Sequence, residues 1–134
     1  MITWKVKKNS GFTIMELMIV IVIVAILASL AYPTYTQYVR KSKRGEAQQL
    51  LMNWSINQEI WRSNNTQYAT ATQLPAPIND NYNFDLTVAP TATTYALRAV
   101  AQNDQVNDVS RDSTACSTLT LDQSGLKDPT VCWN

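Results

Sequence analysis

Residues 7–17 read KKNSGFTIMEL, a basic patch that ends in Gly11, followed by Phe12 and a single acid, Glu16, at the mouth of a long apolar run. That acid decides the reading. A carboxylate at the centre of a membrane helix costs about 2.5–3.5 kcal/mol on insertion scales, so one kept there calls for a partner or a task. Glu16 is therefore the leading candidate functional residue of the chain.

From Phe12 to Tyr32 only Glu16 is charged. At about 1.5 Å rise per residue these positions cover roughly 31 Å of helix, close to a bilayer's hydrocarbon thickness. The stretch IVIVIVAIL at 19–27 is β-branched and by propensity favours strand. In lipid the backbone must satisfy its own hydrogen bonds, so helix is expected. An ordinary single-pass anchor fits the hydropathy equally well. A secretory signal cut after Ala31, behind Ser29-Leu30-Ala31, fits less well, because cleavage there would remove the first half of a helix that runs on.

With the residues that carry it in view, KKNSG followed by FTIMEL resembles the class III signal of type IV prepilins and the related pseudopilins of type II secretion. The resemblance implies residues 1–11 as leader, cleavage between Gly11 and Phe12 by a prepilin peptidase, and methylation of the new Phe12 amino group. It also implies a role for Glu16 in subunit assembly, meeting the Phe12 amine of a neighbouring subunit. The physics agrees: two charges that are each expensive in hydrocarbon offset one another only when subunits dock in register.

Pro33 follows the apolar run, and in the family a proline here kinks the helix without ending it. Removal of one backbone bond and a clash with the preceding turn make a bend physically reasonable. The chain departs from the common pattern at Ala25, where many relatives carry glycine. Alanine is the better helix former by about 1 kcal/mol, so melting toward Pro33 should start less readily there.

Residues 33–63 read as the soluble half of the same helix, ending near Ser63 and Asn64-Asn65. Ala47, Leu51, Trp54 and Trp61 form one apolar stripe; Met52, Ile56 and Ile60 form a second. The first should pack on a sheet. The second is expected in the core as well, with a face turned to neighbouring subunits as the alternative. The cluster Arg40, Lys41, Lys43 and Arg44 fits a solvated helix face, lipid head groups, acidic neighbours or DNA.

Residues 64–81 lack a sustained period and read as a loop. Three strands are expected after it, at 82–88, 94–101 and 116–122, with a turn at Asp122-Gln123-Ser124-Gly125. Period two places Tyr82, Phe84, Leu86 and Val88 on one face, and Tyr95, Leu97, Ala99 and Ala101 on another. The fold class is thus α+β, a long N-terminal helix on a small antiparallel sheet, with residues 64–134 forming the loop and sheet of a globular head. The head's TYAL at 94–97, its DQSG turn and its terminal Cys132-Trp133 resemble a PilE-type minor pilin.

Within that resemblance Cys116 and Cys132 look like the family's C-terminal disulfide pair. Closing a loop of that size is worth about 3 kcal/mol on a chain-entropy model. A redox or metal pair would need shorter spacing or more ligands. The chain has no histidine and only two cysteines, so a four-ligand zinc site cannot be assembled, no cofactor is implied, and an enzyme has no histidine base.

Removing Lys5, Lys7 and Lys8 with the leader leaves eight basic against ten acidic residues, a net of −2 that gives no general pull toward nucleic acid. Charge counting does not orient the span, since lysines precede it and Arg40 to Arg44 follow it closely. The resemblance and the cysteine pair place the head on the oxidising side. They imply a single pass through a bacterial inner membrane with a periplasmic head, then an extracellular pilus. Implied partners are other pilin subunits, the prepilin peptidase, the inner-membrane assembly platform and the membrane; DNA is a further candidate. The function implied is a structural pilus subunit, a minor pilin that initiates or joins the filament, with a major pilin or a secretion pseudopilin as alternatives. Adhesion, twitching motility and DNA uptake are consequences at the level of the filament.

Overall fold

The computed structural model describes residues 11–133, and the proposed leader, apart from Gly11, lies outside them. Helix α1 runs over Ile14–Asn64, without a break in helical assignment at Ala25 or Pro33. The chain divides after Tyr35 into two units. In the first, the helix is exposed throughout, apolar over most of its length apart from Glu16, and long enough to cross a membrane. Phe12 and Thr13, counted into the helix on sequence grounds, stand before its first turn.

In the second unit, the helix is followed by the irregular segment 65–81 and a four-stranded antiparallel sheet in the order β1-β2-β3-β4. The strands are β1 (Tyr82–Leu86), β2 (Ala96–Ala101), β3 (Thr118–Asp122) and β4 (Lys127–Asp128). Three strands were expected and a fourth is present. Asp122 explains it: its Oδ1 accepts hydrogen bonds from the backbone N–H of Ser124 and of Leu126, folding the chain tightly enough for Lys127 to return beside Leu121. Gly125, at φ 79°, supplies the left-handed residue of that turn.

The strands are also shorter than the pattern suggested. β1 stops at Leu86 and leaves Val88 exposed, ahead of Pro90, which has no N–H to give a ladder. β2 starts two residues late and β3 two residues late, the latter because Cys116 donates its N–H to Asp108 O outside the sheet.

Ala47, Leu51 and Trp54 of α1 are buried against Tyr82, Phe84, Tyr95, Leu97, Ala99, Leu119 and Leu121. Register pairs Phe84 with Ala99 and Ala99 with Leu119, so one face of three strands meets one stripe of the helix. The second stripe does not join them. Met52, Ile56 and Ile60 are exposed, which corrects the core expectation. The inward face is instead extended by polar groups, Arg44 and Gln58. Gln58 Nε2 donates to Ala69 O at 3.0 Å while its Oε1 accepts from Ala69 N–H at 2.8 Å, pinning the loop to the helix. Tyr68 and Tyr95 meet edge to face with ring centroids 4.6 Å apart. Cys116 and Cys132 are joined in a disulfide and fully buried, fastening the C-terminal tail to the segment that leads into β3.

Candidate functional site

The start of α1 is built by two residues. Thr13 precedes the first helical residue, and Glu16 is the third residue of the helix. Glu16 Oε2 accepts hydrogen bonds from the Thr13 N–H and the Thr13 Oγ1, both at 2.9 Å, and Thr13 Oγ1 accepts from the Glu16 N–H at 3.2 Å. This reciprocal pair is a capping box, in which side chains satisfy amides that a helix start leaves unbonded. The Thr-x-x-Glu spacing of the box stands in the sequence, where the intersubunit reading of Glu16 left it unused. Phe12 sits beside the box and is 91% exposed. Gly11 has open space where a side chain would project, so the fold places no demand for glycine there.

A second constellation lies where α1 faces the chain after β2. Arg40 donates from Nε and Nη2 to the two carboxylate oxygens of Asp104, at 3.0 and 2.9 Å. One turn further on, Arg44 Nη1 donates to Asp108 Oδ2 at 2.7 Å, with both side chains buried. Gln105, in the short 3-10 helix Asn103–Asn107, lies between these pairs and donates to Arg40 O and to the Tyr82 hydroxyl. Gln48 donates to Cys132 O at 2.7 Å. The helix face is thus tied by polar bonds to the segment before the disulfide and to the tail after it.

The electrostatics follow from this packing. The Arg40 guanidinium holds the Asp104 carboxyl below the usual carboxylate value. Burial pushes the Asp108 carboxyl up, against the pull of Arg44. Burial likewise raises the Tyr82 phenol, to about 12.

Of the basic cluster, Arg44 is therefore committed to a buried pair and Arg40 to an exposed one, and only Lys41 and Lys43 stay outside ion pairs among the described residues. Sequence reasoning missed Asp104, Gln105 and Asp108, whose partners lie more than sixty residues away. An open groove of about 520 Å³ near the end of α1 is lined by Asn57, Ile60, Trp61, Asn64, Asn65 and Leu74, which include no acid, base or nucleophile. No group of three or more acidic or thiol side chains suited to a metal occurs among the described residues.

With this geometry in place, the family comparison is decisive: the profile described as "Type IV minor pilin ComP, DNA uptake sequence receptor" matches residues 33–120, well over half of the chain. The chain belongs to the type IV minor pilin family. The prokaryotic N-terminal methylation motif matches residues 6–32, which contain the Gly11-Phe12 junction and the capping box. A solved type IV pilin from Shewanella oneidensis is similar at 30% identity, with a TM-score of 0.57, covering 71% of this pilin and 98% of that chain. The Neisseria meningitidis non-core minor pilin PilV shares the fold at 19% identity and a TM-score of 0.53, over 68% of this pilin and 86% of that chain. A search of curated proteins returns no match. The pilin family and fold are structural rather than enzymatic, and the methylation motif implies processing and assembly with other pilins.

Proposed function

We propose that this minor pilin is cut between Gly11 and Phe12 by a prepilin peptidase, methylated on Phe12, held in the inner membrane with its head in the periplasm, and then extracted into the filament. Glu16 meets the Phe12 amine of the neighbouring subunit during that extraction, and the inner-membrane assembly platform is a separate partner of the subunit. One observation carries the reading: the exposed Phe12 stands beside the one carboxylate in the apolar first part of α1, and that carboxylate's bonds go to its own Thr13. Gly11 is unneeded by the fold, as expected of a residue kept for a peptidase. The exposed stripe Met52, Ile56 and Ile60 supplies an apolar face for a neighbouring helix. A helix kinked at Pro33 would let that face follow the filament core. The test is to shear surface fibres from the native host and sequence the N-terminus of this subunit. Methylated Phe12 in the fibre fraction is expected, and a chain that retains residues 1–11 there would refute the reading.

The family's description favours a second function for the head, contact with DNA during uptake. Lys41, Lys43 and Arg111 lie within the matched region and outside ion pairs among the described residues. Binding of duplex DNA should weaken steeply from 50 to about 200 mM salt if these cations meet phosphates. Salt-insensitive binding, or none, would leave the pilus role alone.

A further inference from the structure

We propose that Tyr32 and Tyr35 form an interfacial anchor that fixes the depth at which the unassembled pilin sits in its membrane, with lipid head groups as the partner. The inference rests on reading the start of α1 as a membrane span. Both side chains are largely exposed, at 72% and 67%, and neither hydroxyl forms a hydrogen bond among the described residues. Burial in the fold therefore does not account for two large amphipathic rings at this place. They stand three residues apart, so they share one side of the helix and cover successive turns.

Their position along the helix selects the occupant. Apart from Ser29, the residues from Leu17 to Ala31 are apolar, and Tyr32 is the first side chain after them with a polar tip. A bilayer's head-group layer adds roughly 5–7 Å on each side of the hydrocarbon, and helix rise puts Tyr32 about 1.5 Å and Tyr35 about 6 Å beyond Ala31. Both fall inside that layer, where a ring can rest on acyl chains while its hydroxyl bonds to water, ester or phosphate oxygens. Tyr38 is as exposed as Tyr32, but lies about 10 Å out, beyond the layer. Helix rise therefore separates Tyr32 and Tyr35 from Tyr38, which is similarly exposed but falls in the second unit of the chain.

The anchor is tested with the full chain in phospholipid vesicles. A nitroxide on Ser29→Cys reports depth through its relative collision rates with oxygen and a water-soluble nickel complex; the native cysteines are already joined. Replacing both Tyr32 and Tyr35 by alanine should shift the label by about 3 Å or more, two residues of helix rise. Tryptophan at both positions should hold the original depth, and Tyr38→Ala should leave it unchanged. Unchanged depth in the double alanine variant would overturn the proposal, as would an equal shift from Tyr38→Ala. Unchanged depth combined with loss from sheared fibres would overturn it in favour of contacts between subunits. A label fully accessible to nickel in the parent chain would instead refute the membrane-span reading itself.

Discussion

Glu16 serves two physical needs at once, and they can be separated. In the isolated chain its carboxylate closes a capping box with Thr13, a role that glutamine performs as well as glutamate at this helix position. In the proposed filament it must also carry a charge. Glu16→Gln should therefore keep the helix start intact yet drop the subunit from sheared fibres by tenfold or more, measured by quantitative immunoblot against membrane-retained subunit. Glu16→Ala should do no worse in fibres, while also fraying the first turn in amide exchange. If the glutamine variant assembles normally and only alanine fails, Glu16 is a cap and the charge-pairing account is wrong. The sequence displayed both signals, because each depends on residues no more than four apart. Which of them had a partner inside the chain was settled only by the three hydrogen bonds between Thr13 and Glu16.

At the scale of elements, legibility followed the range of the contacts. The helix, its end near Asn64 and the inward stripe Ala47, Leu51 and Trp54 were readable from periodicity. The exposure of Met52, Ile56 and Ile60 was not, since an apolar stripe looks the same whether its own sheet or another subunit covers it. Nor was β4, whose pairing depends on the Asp122 side chain closing a turn. Least legible were Arg44 and Asp108, read as surface charge and not singled out, respectively, though they form a buried pair at 2.7 Å. Removing one partner of such a pair strands the other charge. Arg44→Ala should thus destabilise the head by about 3–5 kcal/mol, whereas Arg44→Met combined with Asp108→Leu should recover most of that loss. Chemical denaturation of the three proteins checks this. A mild effect of Arg44→Ala alone would mean that water reaches Asp108 and that the pair is not truly interior.

For the molecule as a whole, the ionisable groups predict how the head responds to pH. Asp104, held by Arg40, and Asp122, whose carboxylate accepts from Ser124 and from backbone N–H groups in its turn, both have folded values below the ordinary carboxylate value. The unfolded state therefore binds their protons first, so their stabilisation is complete above about pH 4 and is lost as pH falls through the lowered values. Asp108 has the opposite sign: its raised value means that stability declines as pH climbs from about 4 through that value. Tyr82 repeats the pattern in alkali, since its folded value of about 12 lies above the unfolded one, and stability should fall as pH rises from about 10. The thermal midpoint of the full chain in detergent, followed from pH 2 to 12, should show a steep acid limb and a separate alkaline one. Asp122→Asn preserves the acceptor for Ser124 and Leu126 while abolishing the titration, so it should flatten the acid limb. Tyr82→Phe should reduce the alkaline limb without abolishing it, because burial raises the Tyr68 and Tyr95 phenols as well, and leave the acid one in place. An acid limb unchanged by Asp122→Asn would transfer the effect to Asp104 and thus to the contact that ties the helix to the segment before the disulfide.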